Sequence, residues 1–195
     1  GLSDLVISTL YKDSCGYVWM GTATSVERFD GVHLKHYPIY ASSERWKWVN
    51  AIIETSGNQL WVGTDGGFWQ IGQDRVDRIA PDVIRNGVRS IVKDDKDILY
   101  IGSETGLHIY KDGKIETVLL ENNSFSSANF IVGLHLEGER LWLITRNGLY
   151  SMNLKDRKPV HYANNLTEKE ALFSYRNITR IDSTLYLGTM EHGIL

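Results

Sequence analysis

Cysteine is all but missing from this chain. Cys15 stands alone, so no disulfide can form within the 195 residues. Proline is scarce, with three residues. No apolar run approaches the roughly 20 residues that a membrane-spanning helix needs. No block of like charge stands out as a tail. The net charge is −3 with a pI near 6.1, so the basic footprint of a nucleic-acid binder is missing as well. The chain opens on Gly1-Leu2-Ser3 without a signal-peptide pattern. If the protein is exported, its signal is expected to have been removed or to lie outside these residues. Helical periodicity is nearly missing too. Only residues 167–173 could form a turn or two.

What is present is glycine and aromatic rings: 18 Gly, 10 Tyr and 6 Trp. Short aromatic-rich strands separated by Gly turns have this composition. One pentapeptide recurs. Val18-Trp19-Met20-Gly21-Thr22 returns as Leu60-Trp61-Val62-Gly63-Thr64 and as Leu99-Tyr100-Ile101-Gly102-Ser103. It returns again as Leu141-Trp142-Leu143-Ile144-Thr145 and Leu185-Tyr186-Leu187-Gly188-Thr189. The central aromatics lie 42, 39, 42 and 44 residues apart. A period of about 40–45 residues with four strands per unit is that of β-propeller blades. The pentapeptides are nearly continuous apolar runs, as expected of strands buried on both faces. The aromatic is expected to fill the space between blades and the Gly to permit close backbone approach. Ile144 replaces that Gly in the fourth unit, so packing there should differ. Asp30-Gly31 and Asp112-Gly113 are expected to make two-residue hairpin turns between third and fourth strands. The first unit is expected to begin near Leu5 and the fifth to stop inside its third strand.

The repeat resembles that of the two-component regulator propeller family. The first unit carries the likeness most fully: Tyr11-Lys12-Asp13-Ser14-Cys15-Gly16-Tyr17-Val18-Trp19-Met20-Gly21-Thr22, then Arg28-Phe29-Asp30-Gly31. Departures are Ser25-Val26 where the pattern has Gly-Leu, Tyr for Trp in the third and fifth units, and Ile144. The resemblance implies a longer parent, with periplasmic propellers ahead of a further β domain, a membrane helix and a histidine kinase, as in Bacteroides-type hybrid sensors. It implies an oligosaccharide ligand and control of polysaccharide-utilisation genes.

The fold class expected is therefore all-β: about five four-stranded propeller blades, the last incomplete, forming an arc of a larger propeller. Approximate blades are 1–45, 46–84, 85–129, 130–174 and 175–195. The function expected is an extracytoplasmic ligand-sensing module that is not itself an enzyme and needs no cofactor. A propeller lyase or hydrolase and a protein-binding scaffold are the alternatives. A membrane would be met only through the rest of the parent chain. Uncovered terminal blades would expose apolar area, so self-association is expected.

Loops on a rigid scaffold are where function concentrates. The loops joining second to third strands share one face with the inter-blade connections. They offer Thr24, Thr64, Asp65, Glu104, Arg146, Asn147 and Glu191, and the connections offer Trp46, Trp48, Arg85, Asn86, Tyr175 and Arg176. Trp46 and Trp48 flank Lys47, and alternation would send both rings to one side, where aromatic faces could stack on sugar rings. Capping of the core between blades is the plainer role for the same two rings. Trp69 reads as packing. The six histidines form no His-Glu-x-x-His pattern, and no Cys-x-x-Cys is present. Asp94, Asp95 and Asp97 read as solvated turn residues, and Cys15 as an exposed bystander thiol.

Overall fold

The computed structural model describes residues 1–39, 48–72, 75–162 and 175–189. The side chains of residues 175–177 and 189 lie outside that description. The chain forms two compact units, Gly1–Arg89 and Ser90–Leu195. Both are built from antiparallel meanders, in which each strand pairs with its sequence neighbour.

The first sheet holds β1 (Thr9–Lys12), β2 (Val18–Gly21), β3 (Ser25–Phe29) and β4 (Leu34–Pro38). The second holds β5 (Val49–Thr55), β6 (Gln59–Thr64), β7 (Gly67–Ile71) and β8 (Val76–Ile79). In the third are β9 (Val88–Lys93), β10 (Leu99–Ser103), β11 (Gly106–Lys111) and β12 (Lys114–Val118). In the fourth are β13 (Ile131–Glu137), β14 (Arg140–Thr145), β15 (Gly148–Asn153) and β16 (Pro159–Tyr162). A two-stranded sheet follows, β17 (Tyr175–Ile181) with β18 (Thr184–Thr189). Four sheets of four strands at this period are propeller blades. The only helical element among the described residues is a 3₁₀ turn, Ser127–Asn129, capped by the Ser126 hydroxyl. Residues 167–173 lie outside the described residues, as does the end of the fifth unit.

The repeated pentapeptide forms the second strand of every sheet. β10 is buried throughout, and β6 and β14 at all but their first residue. The central ring is also anchored by a polar atom six residues earlier, in the turn from the first strand. Trp19 Nε1 donates to Asp13 at 2.7 Å, and Trp61 Nε1 to Thr55 at 2.9 Å. The Tyr100 hydroxyl donates to Asp94 at 3.4 Å, and burial, with the Asp94 charge beside it, pushes that phenol up to about 12. In the fourth blade the equivalent position is Leu136. The Trp142 indole N–H is accordingly buried without a partner. Asp94 is thus more than a solvated turn residue, because it also accepts from the Lys96 and Ile98 amides.

Glycine after the aromatic is required by close approach. A Cβ on Gly21 would stand 2.6 Å from both Thr9 and Val49, the latter opening the next blade. A Cβ on Gly102 would meet Ile131, which opens β13, at 2.7 Å. At Ile144 the crowding on the side of its own blade is relieved by an exchange across the strand pair. Its partner in register is Gly133, whereas Gly63 faces Ala51 and Gly21 faces Thr9. The Ile144 side chain fills the space that the Gly133 side has given up, packing with Trp142 and Ile178.

Two turn and boundary expectations are corrected. Asp112-Gly113 is a two-residue hairpin, Lys111 pairing with Lys114, with φ of 49° and 77°. Asp30-Gly31 is not: Phe29 pairs with Leu34, leaving a four-residue loop. Its Asp30 carboxylate accepts from the Val32 and His33 amides, which supports the longer turn. His33 therefore sits in that loop and not on a strand. The first blade starts at Thr9 and not near Leu5, because backbone pairing with Gly21 begins only at Ser8, and Leu5 is 97% exposed.

One third-strand position carries different chemistry in each blade: Glu27, Trp69, His108 and Tyr150. Each faces a fixed fourth-strand partner, respectively His36, Arg78, Thr117 and His161. Glu27 is fully buried. Burial raises its carboxyl, but bonds from Ser3, the His36 charge and the Ser25 hydroxyl outweigh that and hold it below the usual range. Trp69 is buried and donates to Thr64 at 3.0 Å. His108 is held between Ser103 and Thr117, each at 2.9 Å, and burial lowers its pKa to about 4.

Two outcomes follow from this packing. Replacing Gly102 with Val should cost about 1–3 kcal/mol by overpacking, read as a lower urea midpoint. His108 is neutral in the fold and protonates more readily when unfolded. Its contribution is therefore complete above pH 6.5 and drains away as pH falls towards 4. The loss should reach roughly 3 kcal/mol at most. Melts between those pH values should show a slope that His108→Gln flattens.

Candidate functional site

The loop end of the blades is organised by the last residue of the second strand. Thr64, Ser103 and Thr145 are buried, and their hydroxyls donate across the turn to Gly67, Gly106 and Gly148. The same oxygens accept from the amides of Gly66, Thr105 and Asn147. Thr22 closes the first blade's turn in the same way onto Ser25. The Thr64 hydroxyl is thus committed to its turn and to Trp69. The turn residues left at least partly exposed differ between blades: Thr24 in the first, Asp65 in the second, Glu104 and Thr105 in the third, Arg146 and Asn147 in the fourth.

Within Gly1–Arg89 the charged residue among these is Asp65. Its Oδ1 accepts from Arg89 at 2.7 Å and from Asn50 at 2.9 Å. Asn50 also donates to the Val88 carbonyl. Asn50 occupies a β-bulge, the register shifting between Val49 and Ala51. The bulge turns its side chain towards the loop end, as bulges commonly re-aim a residue. The Trp48 carbonyl accepts from the Asp65 amide, which ties the connection to the same turn, and the Trp48 ring is half-buried. Arg85 and Asn86 are exposed, and Arg85 donates to the Asp82 carbonyl. Thr24 is exposed.

In the second unit the corresponding turn residue is Arg146. Its amide donates to the Phe130 carbonyl, and its guanidinium lies 3.5 Å from the Phe130 ring centre. Phe130 therefore holds in β13's approach the place that Trp48 holds in β5's. Asn147 donates to the Tyr150 hydroxyl at 2.9 Å, and that hydroxyl donates on to Glu121 at 3.2 Å. Burial raises the Tyr150 phenol, and the Glu121 charge adds to it against the opposing Asn147 bond. His161 stacks on Tyr150 at 4.4 Å and hydrogen-bonds the Asn147 carbonyl at 3.0 Å. Glu104 is half-buried in the turn after Ser103. Tyr175 and Arg176 lie on β17. Trp46 and Glu191 lie outside the described residues.

The structure thus brings Trp48, Thr64 and Asp65 together in one unit, and Arg146 and Asn147 in the other. Sequence reasoning missed Asn50, Arg89, Phe130 and Tyr150. A signal existed for Asn50 and Arg89, which stand 11 residues before Trp61 and Tyr100. Among the described residues no three His, Cys, Asp or Glu side chains gather as a metal site would require. No described helix is long and apolar enough to cross a membrane.

No curated protein matches the chain in sequence. Several solved structures share its fold. The extracellular domain of a putative one component system from B. thetaiotaomicron aligns over 100% of this chain and 29% of its own, with TM-score 0.65 and 17% identity. Virginiamycin B lyase from Staphylococcus aureus aligns over 99% of this chain and 67% of its own, with TM-score 0.74 and 14% identity. PorZ, a surface component of the type-IX secretion system of Porphyromonas gingivalis, aligns over 99% and 27%, with TM-score 0.65 and 16% identity. The chain therefore spans less than a third of the bacterial extracellular domain it matches, and its blades correspond to part of a larger propeller. At these identities the likeness is one of fold, shared by sensors and enzymes alike. Residues 1–24, the segment leading through the first Trp-Met-Gly-Thr, match the two component regulator propeller family.

Proposed function

We propose that this chain is the ligand-sensing part of an extracytoplasmic sensor in a two-component system, periplasmic in location, and that its ligand is an oligosaccharide. The observation that carries the reading is the regulator-propeller match at residues 1–24 on blades shaped like those of a bacterial extracellular domain. The loop-end chemistry supports binding over turnover. Asp65 in the second blade's turn is occupied by Arg89 and Asn50, and Glu121, after the third blade, by Tyr150 and Ser126. A hydrolase needs a pair of free carboxyls set across a pocket. The half-buried Trp48 ring offers instead a flat apolar surface on which a sugar ring could stack.

Signalling would then need a ligand that prefers one of two conformations of the parent sensor. A thermal-shift panel of plant and host oligosaccharides tests the binding step, because a ligand of the native state raises the melting temperature. At least one oligosaccharide should stabilise the chain without being degraded. Trp48→Ala should abolish that shift while melting cooperatively by itself. Cleavage of a panel sugar would favour the lyase or hydrolase reading, and an unchanged shift in Trp48→Ala would remove that ring from the site.

A further inference from the structure

At the other ends of the same strands, the first and second blades leave a cleft of about 440 Å³. Tyr17, Trp19 and Tyr37 wall it on one side, and Gln59 and Gln70 on the other. Arg28 projects into it from β3. Its guanidinium lies 4.4 Å over the Tyr17 ring and 5.9 Å from that of Trp19. Its Nε is buried with no hydrogen-bond partner.

The acids around this cleft are already taken. Asp13 accepts from the Trp19 indole and the Tyr17 amide. Glu54 crosses from the second blade to accept from the Ser14 amide and hydroxyl. Asp77 pairs with Arg75 at 2.8 Å. No carboxylate among the described residues pairs with Arg28. Arg28 faces Lys35 directly across the β3–β4 ladder. The Lys35 ammonium lies 5.0 Å from the Tyr37 ring centre.

We propose that this cleft binds a carboxylate-bearing pyranose, a hexuronate or a short chain ending in one. The planar fork of Arg28 matches a carboxylate in two parallel hydrogen bonds. The sugar ring would lie beside half-buried Tyr17, and the amides of Gln59 and Gln70 would meet its hydroxyls. The cleft stands at the opposite strand ends from Trp48, so it is a second site and not a part of the first. Trp48→Ala leaves it intact, and the two readings succeed or fail separately.

Cys15 is exposed and lines the cleft, which supplies a direct probe. Glucuronate and galacturonate at millimolar concentration should slow alkylation of Cys15 and raise the melting temperature of the chain. Glucose and galactose at the same concentration should do neither. Arg28→Gln should weaken uronate binding about tenfold or more, the loss expected when one strong charge-assisted contact goes. Arg28→Lys, which keeps the charge but not the fork, should fall between the two. Equal protection by the neutral sugars overturns the proposal, as does no protection by either uronate. The comparison of charged with neutral sugars on the unaltered chain holds even if an Arg28 variant fails to fold.

Discussion

The approach of Val49 to Gly21, and of Ile131 to Gly102, sets the blade spacing on which the rest of each unit depends. A side chain at either glycine would hold the next blade's first strand away from the sheet. The apolar clusters of Trp19, Val26, Leu60 and Trp69 in one unit, and of Leu107, Ile131, Leu141 and Tyr150 in the other, would then lose contact. Dispersion falls off steeply with separation, so a gap of under an ångström already forfeits much of it. The large ring two residues before each glycine answers the same constraint. Where the sheets diverge, an indole or phenol takes up the space, and its polar atom is tied back to the preceding turn.

On that common frame the blades are free to differ where the spacing does not care. The third-strand column shows this. Glu27, Trp69, His108 and Tyr150 occupy one place in four sheets, yet each is satisfied by local partners of its own kind. The backbone there is fixed by ladder pairing, so the side chain needs only a hydrogen-bond partner inside the blade. Glu27 is the exception in part, because its second oxygen is buried without one.

The fold was legible in the sequence because propeller geometry repeats: five copies of one pentapeptide at near-constant spacing leave little freedom for the second strands. Local turn chemistry was less legible. Asp-Gly is the same dipeptide at residues 30–31 and 112–113, but the Asp30 carboxylate can satisfy two amides of a longer loop. Dipeptide identity does not decide between the two outcomes. At the loop end, Trp48, Asp65 and Arg146 could be placed from the repeat alone. The clasp of Asn50 and Arg89 on Asp65 could not, since it depends on a bulge that only the pairing register reveals. The fate of the fourth blade was half legible. Ile144 announced different packing, but the compensating Gly133 sits on another strand.

That exchange bears on how such repeats diverge after duplication. A blade copied from its neighbour starts with the small residue on the second strand and a side chain opposite. To arrive at Ile144 facing Gly133, two positions must change, and the order matters. Acquiring the isoleucine first would force two side chains into one place, whereas acquiring the first-strand glycine leaves only a vacancy to be filled later. A lineage would thus pass more readily through the underfilled ancestor than through the crowded one. Once both changes are made, reverting either alone is costly. Ile144 and Gly133 are thus a coupled pair, and neither could be swapped alone for the residue at the same place in a sibling blade.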